Sequence, residues 1–481
     1  MKNILQRWIL YLLSVVAIFT STAAGAFQPR GQWLLEKLPA YPGGVYTETL
    51  YNTGTGLDQE LPTKSKPEPR PTYSYMQLVR QTNLADFYRY CAKLDRLGWR
   101  QTFFNRIEKN VYAAYESGQK RVYFYYNGGS GVARVIDDCC NSASLDAFSA
   151  DKTEDDFAPA VYQFSYPYKD SLHSDPALFH GNGMLYVIRL SDGSLIVIDG
   201  GSLYQTSLAN IDEFRAFLYR ITDQKPGSRL RVALWYGTHL HGDHNAFFQK
   251  FMRLYHEEVT VERFAFNYQA NEVLHTNAYV KRLRNHIAKF YPDAAYVKVR
   301  PGYRFQLRDA DCQVLYCHED FVDPADASWT ADNANDASAV LRVTIRDKRF
   351  LFLGDAGLIA EDVLLKNFTK QTLRSDVLQA AHHLYNDLHR LYPVVAPSYV
   401  FCPQSGRRAA EQPLDAYLTL RQLVPADRFC FADENIVYGF LPDHDIMTME
   451  MIPVSCTAYD GSPLTEHGEQ EPPENEDEPL S

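Results

Sequence analysis

The sequence predicts a layered α/β fold preceded by a small α+β unit. Strand-like and helix-like segments alternate from about residue 155 to 455. Within that stretch an apolar strand runs directly into a cluster of three His and one Asp. Ahead of it, one helical repeat is followed by three short strand-like runs separated by Gly turns.

The chain has 481 residues, room for two or three domains at about 100–200 residues each. Hydrophobic residues make up 46%, which excludes global disorder. The formal charge is -11, and leaving out Lys2, Arg7 and the seven acids of the tail gives about -6 for the folded part. A body that mildly acidic offers nucleic acid no broad attraction, although a local basic groove is compatible with it.

The N-terminus has the pattern of a secretory signal over residues 1–26. Lys2 and Arg7 supply the positive region, Trp8 to Phe19 is apolar but short for a bilayer span, and Ala24-Gly25-Ala26 is a cleavage-type triplet. The expectation is a secreted or extracytoplasmic protein with no stable membrane span after cleavage. The alternative is anchoring through an uncleaved segment. Export permits disulfides, but no CxxC pair occurs among the eight Cys, so a cysteine zinc site is not expected. Cys312 and Cys317 lie on opposite faces of a strand-like segment, and Cys402 and Cys430 read as buried thiols.

Residues 27–72, with Pro62, Pro67, Pro69 and Pro71, read as a linker or loosely packed lead-in. The small α+β domain spans 73–145. Leu84, Phe87, Cys91 and Leu94 mark its helix, which Gly98 can close. Val111–Tyr115, Arg121–Tyr126 and Gly131–Ile136 are its strands, with turns at Ser117-Gly118 and Asn127-Gly128-Gly129. Its aromatic side chains are read as packing, and its role is open.

After the acidic stretch Asp151–Asp156, Val187–Leu190 and Leu195–Asp199 form a hairpin across Asp192-Gly193. Asn210, with Glu213 three residues on, is the expected cap of a helix whose apolar face is Ile211, Phe214, Leu218 and Ile221. The tail 461–481 is acidic and lacks the apolar content to fold.

The chemistry lies in Thr238-His239-Leu240-His241-Gly242-Asp243-His244, directly after the strand Val232–Tyr236. Imidazole and carboxylate are good ligands for Zn²⁺ and similar ions. A separation of two puts His239 and His241 on one side of an extended segment. A turn at Gly242 then offers Asp243 and His244 to a second position.

This HxHxDH pattern resembles the metallo-β-lactamase superfamily over residues 175–455, and looks most similar to the ComEC-like hydrolase domains and secreted phosphorylcholine esterases. The resemblance implies a four-layer αββα sandwich over 155–455. It implies metal ligands at His239, His241, Asp243, His244, Asp355 and His383, with Asp355 as the bridging carboxylate. Asp199, ending an early strand, would orient the metal loop from behind. Of the final pair, His383 is favoured as ligand, leaving His382 to contact substrate or donate a proton to the leaving group, and Asp243 would both ligate and orient the nucleophile.

Three departures stand out. Asn335 to Leu341, with Ser338, occupies the strand where other members carry a further His; His318 is the nearest candidate to replace it and otherwise a loop residue. Asn245-Ala246-Phe247 and Leu384-Tyr385 stand where Gly is usual, which puts the pocket shape in doubt.

The implied activity is metal-dependent hydrolysis by a metal-bound hydroxide, with one or two divalent ions, zinc first and manganese or iron as alternatives. A phosphodiester or related ester, small or polymeric, is the preferred substrate, and a lactone or β-lactam the runner-up. The reading from another class is a non-catalytic cell-surface binding protein, whose signature would be lost ligand residues. Oligomeric state is not legible.

Overall fold

The computed structural model describes residues 29–53, 74–138, 157–164, 167–168, 181–268, 276–320, 334–411, 413–432 and 436–455. The predicted leader, the acidic stretch Asp151–Asp156 and the tail lie outside them. No helix among the described residues is long and apolar enough to cross a membrane.

The large domain is built on two sheets. The first, nine-stranded among the described residues, carries Leu230–Gly237 between Leu195–Asp199 and Arg263–Phe266, all three parallel. The second, seven-stranded, runs from Arg304–Leu307 to Phe429–Phe431, with Lys348–Phe352, Val377–Gln379, Tyr399–Cys402 and Phe429–Phe431 parallel.

Period-two alternation sorts the first sheet's side chains between two cores. Tyr186, Ile188, Ile196, Ile198, Leu234 and Tyr236 face inward and share one core with Val340, Leu341, Phe350 and Phe352 of the second sheet. Leu185, Val187, Leu195, Val197 and Trp235 face outward onto Phe214 and Phe217 of helix Leu208–Ile221 and Phe248 and Phe251 of helix Ala246–Leu254. Leu364, Leu391, Tyr392 and Leu420, from helices of the second half, join the core at the second sheet. The result is a helix–sheet–sheet–helix sandwich, the expected αββα architecture.

Helix Leu208–Ile221 begins one turn earlier than expected. Ser207 is the cap, its hydroxyl accepting from Asn210 N at 3.2 Å. Asn210 is inside the helix and buried, and its amide donates to Gln205 O at 3.1 Å. Both residues are cap formers. The polar loop 202–207, drawn in by Gln205 and Asn210, decided between them.

The small unit has helix Leu84–Arg96 on an antiparallel sheet, seven-stranded among the described residues. The helix side buries Phe87, Tyr90, Val111, Tyr115 and Phe124. The other face, Met76, Leu78, Ile107, Tyr112, Tyr123, Tyr125 and Ile136, belongs to the same core as the sandwich. Each such side chain is worth about 1.5–3 kcal/mol relative to exposure, so the unit is packed onto the large domain rather than tethered to it. Asn105 donates to Gly302 O and Asn110 to Asn367 O, both at 2.8 Å, while Arg300 pairs with Asp138 at 2.6 Å.

The linker reading is corrected for residues 29–53. Val45–Tyr46 and Tyr51–Asn52 pair with strand Tyr75–Arg80, and Leu35, Leu38, Tyr41 and Tyr46 are buried in the small unit. Leu35, Leu38 and Tyr41 lie in turns and irregular chain, so their burial follows no strand or helix pattern. The Pro-rich stretch 54–73 lies outside the described residues. Cys91, Cys312, Cys317, Cys402 and Cys430 are buried.

Candidate metal centre

Every candidate ligand lies in a loop leaving the C-terminal end of a parallel strand, the end where open α/β sheets bind ligands. His239 to His244 follow Leu230–Gly237, Asp355 follows Lys348–Phe352, and His383 follows Val377–Gln379.

Asp199 fastens the first loop at both ends. Its Oδ1 accepts from Thr238 N at 2.8 Å, and its Oδ2 from His244 Nδ1 at 2.8 Å. The Thr238 hydroxyl reaches both oxygens, at 3.0 and 2.9 Å. Asp199 sits at φ 59°, a left-handed conformation that Asp tolerates better than most residues. Gly354, at φ 57°, delivers Asp355; a Cβ there would lie 2.8 Å from the Thr238 side chain. Ser338 joins the two loops: its hydroxyl accepts from Asp355 N at 3.0 Å and lies 3.2 Å from His239 Nδ1.

Two ligand groups result, His239–His241–Asp355 and Asp243–His244–His383. In the first, which we call position one, His239 Nε2 lies 3.0 Å from His241 Nδ1 and 3.5 Å from Asp355 Oδ2. In position two, His383 Nε2 lies 3.2 Å from Asp243 Oδ2. Asp355 Oδ1 reaches this group too, 3.1 Å from His244 Nε2 and 3.8 Å from His383 Nε2. The carboxylate thus turns one oxygen to each group.

These side chains fit a cation. Metal–ligand bonds of about 2.0–2.2 Å place neighbouring tetrahedral donors about 3.4 Å apart, the spacing seen here. Asp355 Oδ1, His244 Nε2 and His383 Nε2 are buried with no hydrogen-bond partner, a costly arrangement unless something else satisfies them. The opposite ring nitrogens are held: His244 Nδ1 by Asp199, His383 Nδ1 by Pro403 O at 3.1 Å, and His239 Nδ1 by Ser338 and Thr238. For His244 and His383, whose Nδ1 faces a pure acceptor, that fixes the tautomer that leaves the Nε2 lone pair for a metal. His239, His244, Asp355 and His383 are buried, whereas His241 and Asp243 are half-exposed and mark the open side.

The electrostatics are those of a compact cluster. Burial opposes charge on Asp355, but His244, His382, His383 and His239 outweigh it and hold the carboxyl well below its usual range. Burial likewise opposes charge on His244, yet Asp355, Asp199 and Asp243 raise it well above the usual imidazole value. His383 is raised in the same way, chiefly by Asp355 and Asp243 against burial. His239 is pushed well below, by burial and then by His244. Asp199 is raised because its burial outweighs His244.

The structure therefore brings His239, His241, Asp243, His244, Asp355 and His383 together, with Asp199 behind them. His382 is adjacent, its Nε2 3.7 Å from Asp355 Oδ2. His318 joins neither group. It is buried between Tyr51 OH at 3.2 Å and Asn267 Oδ1 at 3.1 Å, and burial pushes it down to about 4. Sequence reasoning missed the linking role of Ser338 and that of Gln379, whose Oε1 accepts from Leu353 N and Gly354 N at 2.7 Å. Gln379 ends an apolar strand and carries no pattern of its own. Leu384, where Gly was expected, adopts φ 68° all the same.

No protein-family model and no curated protein matches the chain. Among solved structures it is similar to a diphosphatase of the PhnP family, at 15% identity and a TM-score of 0.32 over 61% of this chain and 98% of that one. It is similar to Zn(2+)-bound PqqB from Methylobacterium extorquens, at 11% identity and a TM-score of 0.31 over 49% of this chain and 77% of that one. It is similar to the short form of human tRNase Z, at 10% identity and a TM-score of 0.29 over 52% of this chain and 94% of that one.

Proposed function

We propose that the protein is an exported metal-dependent hydrolase acting on a phosphodiester or related ester. The observation that carries the hydrolase reading is the shared carboxylate: Asp355 presents separate oxygens to two His-rich groups, in the second of which His244 Nε2 and His383 Nε2 are buried without hydrogen-bond partners. The phosphodiester preference rests on the motif resemblance, and export on the leader pattern.

Position one would be held by His239, His241 and Asp355, and position two by Asp243, His244, His383 and Asp355. Imidazole with carboxylate suits zinc, with manganese or iron also compatible. When bound, such cations lower the pKa of water from about 15.7 toward about 7 and polarise the electrophile's oxygen. The chain's own residues preorganise the site. Asp199, Ser338 and Pro403 O hold the three imidazoles in one orientation, and Asn386 fixes the Asp355 turn by donating to Asp355 O at 3.0 Å and Ala356 O at 3.1 Å. Asp243, on the open side, orients the attacking water toward substrate.

The test pairs metal analysis of the purified protein with a panel of phosphodiester, lactone and β-lactam substrates, using Asp243→Ala as control. Bound transition metal and turnover that the variant loses are expected. Equal turnover by both proteins overturns the reading. Turnover confined to the lactone or β-lactam replaces the substrate class and leaves metal-dependent hydrolysis standing.

A further inference from the structure

The two positions are unequally supplied. Position two has His244, His383, Asp243 and one oxygen of Asp355, whereas position one has only His239, His241 and the other oxygen. A catalytic ion keeps at least three protein donors besides its water and can expand to five-coordinate, and one of the three at position one is a carboxylate shared with position two. The strand that could have supplied a further imidazole carries Ser338, and the buried His318 is bonded elsewhere.

We propose that His382 is the third nitrogen ligand of position one, so that the consecutive pair His382-His383 serves both positions. Successive side chains of an extended segment point to opposite faces. Here His382, His383 and Leu384 all adopt left-handed backbone angles, at φ 46°, 51° and 68°. Three such residues in a row, none of them Gly, are strained, and strain of this kind collects at functional sites. The turn removes the alternation. His383 Nε2 lies 3.8 Å from Asp355 Oδ1, and His382 Nε2 lies 3.7 Å from Asp355 Oδ2, the oxygen that faces His239. The peptide is held there by His382 N donating to Gly354 O at 3.0 Å.

The His382 side chain is 29% exposed, so it has room to move. In the structure its Nε2 also meets Asn335 Nδ2 at 3.3 Å. Ligation exchanges that contact for the ion, by a rotation of the ring toward His239 and His241. Asn335 is then the resting partner of His382 rather than part of the cage.

The inference rests on reading the site as a metal centre, and the experiment separates the two. The full chain is stripped with chelator and titrated with Zn²⁺ and with Co²⁺, following stoichiometry, affinity and the Co²⁺ absorption. Wild type is expected to take two equivalents. His382→Ala should retain position two and weaken position one by more than the ~10–100-fold typical of an outer partner, with a changed Co²⁺ spectrum. His382→Asp, which keeps a donor, should recover part of that loss, and covers the case in which the alanine variant does not fold. Asn335→Ala should bind both ions at least as tightly as wild type. Two equivalents at wild-type affinity and an unchanged Co²⁺ spectrum in His382→Ala overturn the proposal, whatever happens to turnover. A wild type that binds neither ion overturns the metal-centre reading itself.

Discussion

Asp199→Asn is the most discriminating perturbation of the cage because it changes a charge and a proton position while leaving the shape. An Asn in the same rotamer keeps Oδ1 for Thr238 N, now at 2.8 Å, and turns an N–H toward His244 Nδ1, also at 2.8 Å. Two donors cannot share that contact, so the favourable state moves the His244 proton to Nε2, the atom 3.1 Å from Asp355 Oδ1. A protonated Nε2 cannot ligate. Asn tolerates the left-handed φ of 59° as well as Asp does, so backbone strain does not confound the result. Loss of an orienting partner costs about 10–100-fold in metal affinity, or about 1.4–2.7 kcal/mol. The larger loss should fall on position two, since Ser338 still holds His239 when the Thr238 contact to residue 199 changes. Chelator-competition titration of both positions, beside a melting curve to verify folding, measures this. A folded Asp199→Asn protein with wild-type affinity at position two would refute the argument that the tautomer is set from behind the ligands.

Two further predictions concern the junction between the small unit and the sandwich. Arg300 is buried and pairs with Asp138 at 2.6 Å and with Glu319, both buried. Arg300→Met leaves two carboxylates without their cation and should lower the unfolding free energy by about 3–5 kcal/mol; a loss under about 1 kcal/mol in urea titration counts against this pairing as the anchor. Asp320 is pushed up to about 7 by burial, which outweighs Arg134. A raised acid favours the fold fully only below its unfolded value of about 3.9, and that contribution drains away as pH rises through about 7. The stability of Asp320→Asn relative to wild type should therefore climb between those limits and level off above them. A difference that stays constant with pH excludes Asp320 as the titrating group.

What could be read from the chain was local. His239 and His241 were placed on one side because an extended segment alternates with period two, and the ligand loop follows an apolar run that reads as a buried strand. Asp199 and Asp355 also end such runs, but an acid there reads as a turn residue by itself, and the motif resemblance is what singled them out. Helix Leu84–Arg96 was legible from its apolar spacing, whereas the burial of Leu35, Leu38 and Tyr41 was not, because they lie in turns and irregular chain held only by the small unit.

The sequence by itself thus determined the layered class, the order of its elements and the His239–His244 cluster, since each is written in spacings of a few residues, while Asp355 and His383 entered only as what the motif resemblance implies. The tertiary structure alone decided how those donors are shared. It turned one Asp355 oxygen to each group, took His318 out of the site and into the contact with Tyr51, put Ser338 between two ligands and packed the small sheet onto the sandwich core. Those outcomes depend on contacts between residues far apart in the chain and on left-handed turns that packing imposes, and no short-range pattern encodes either.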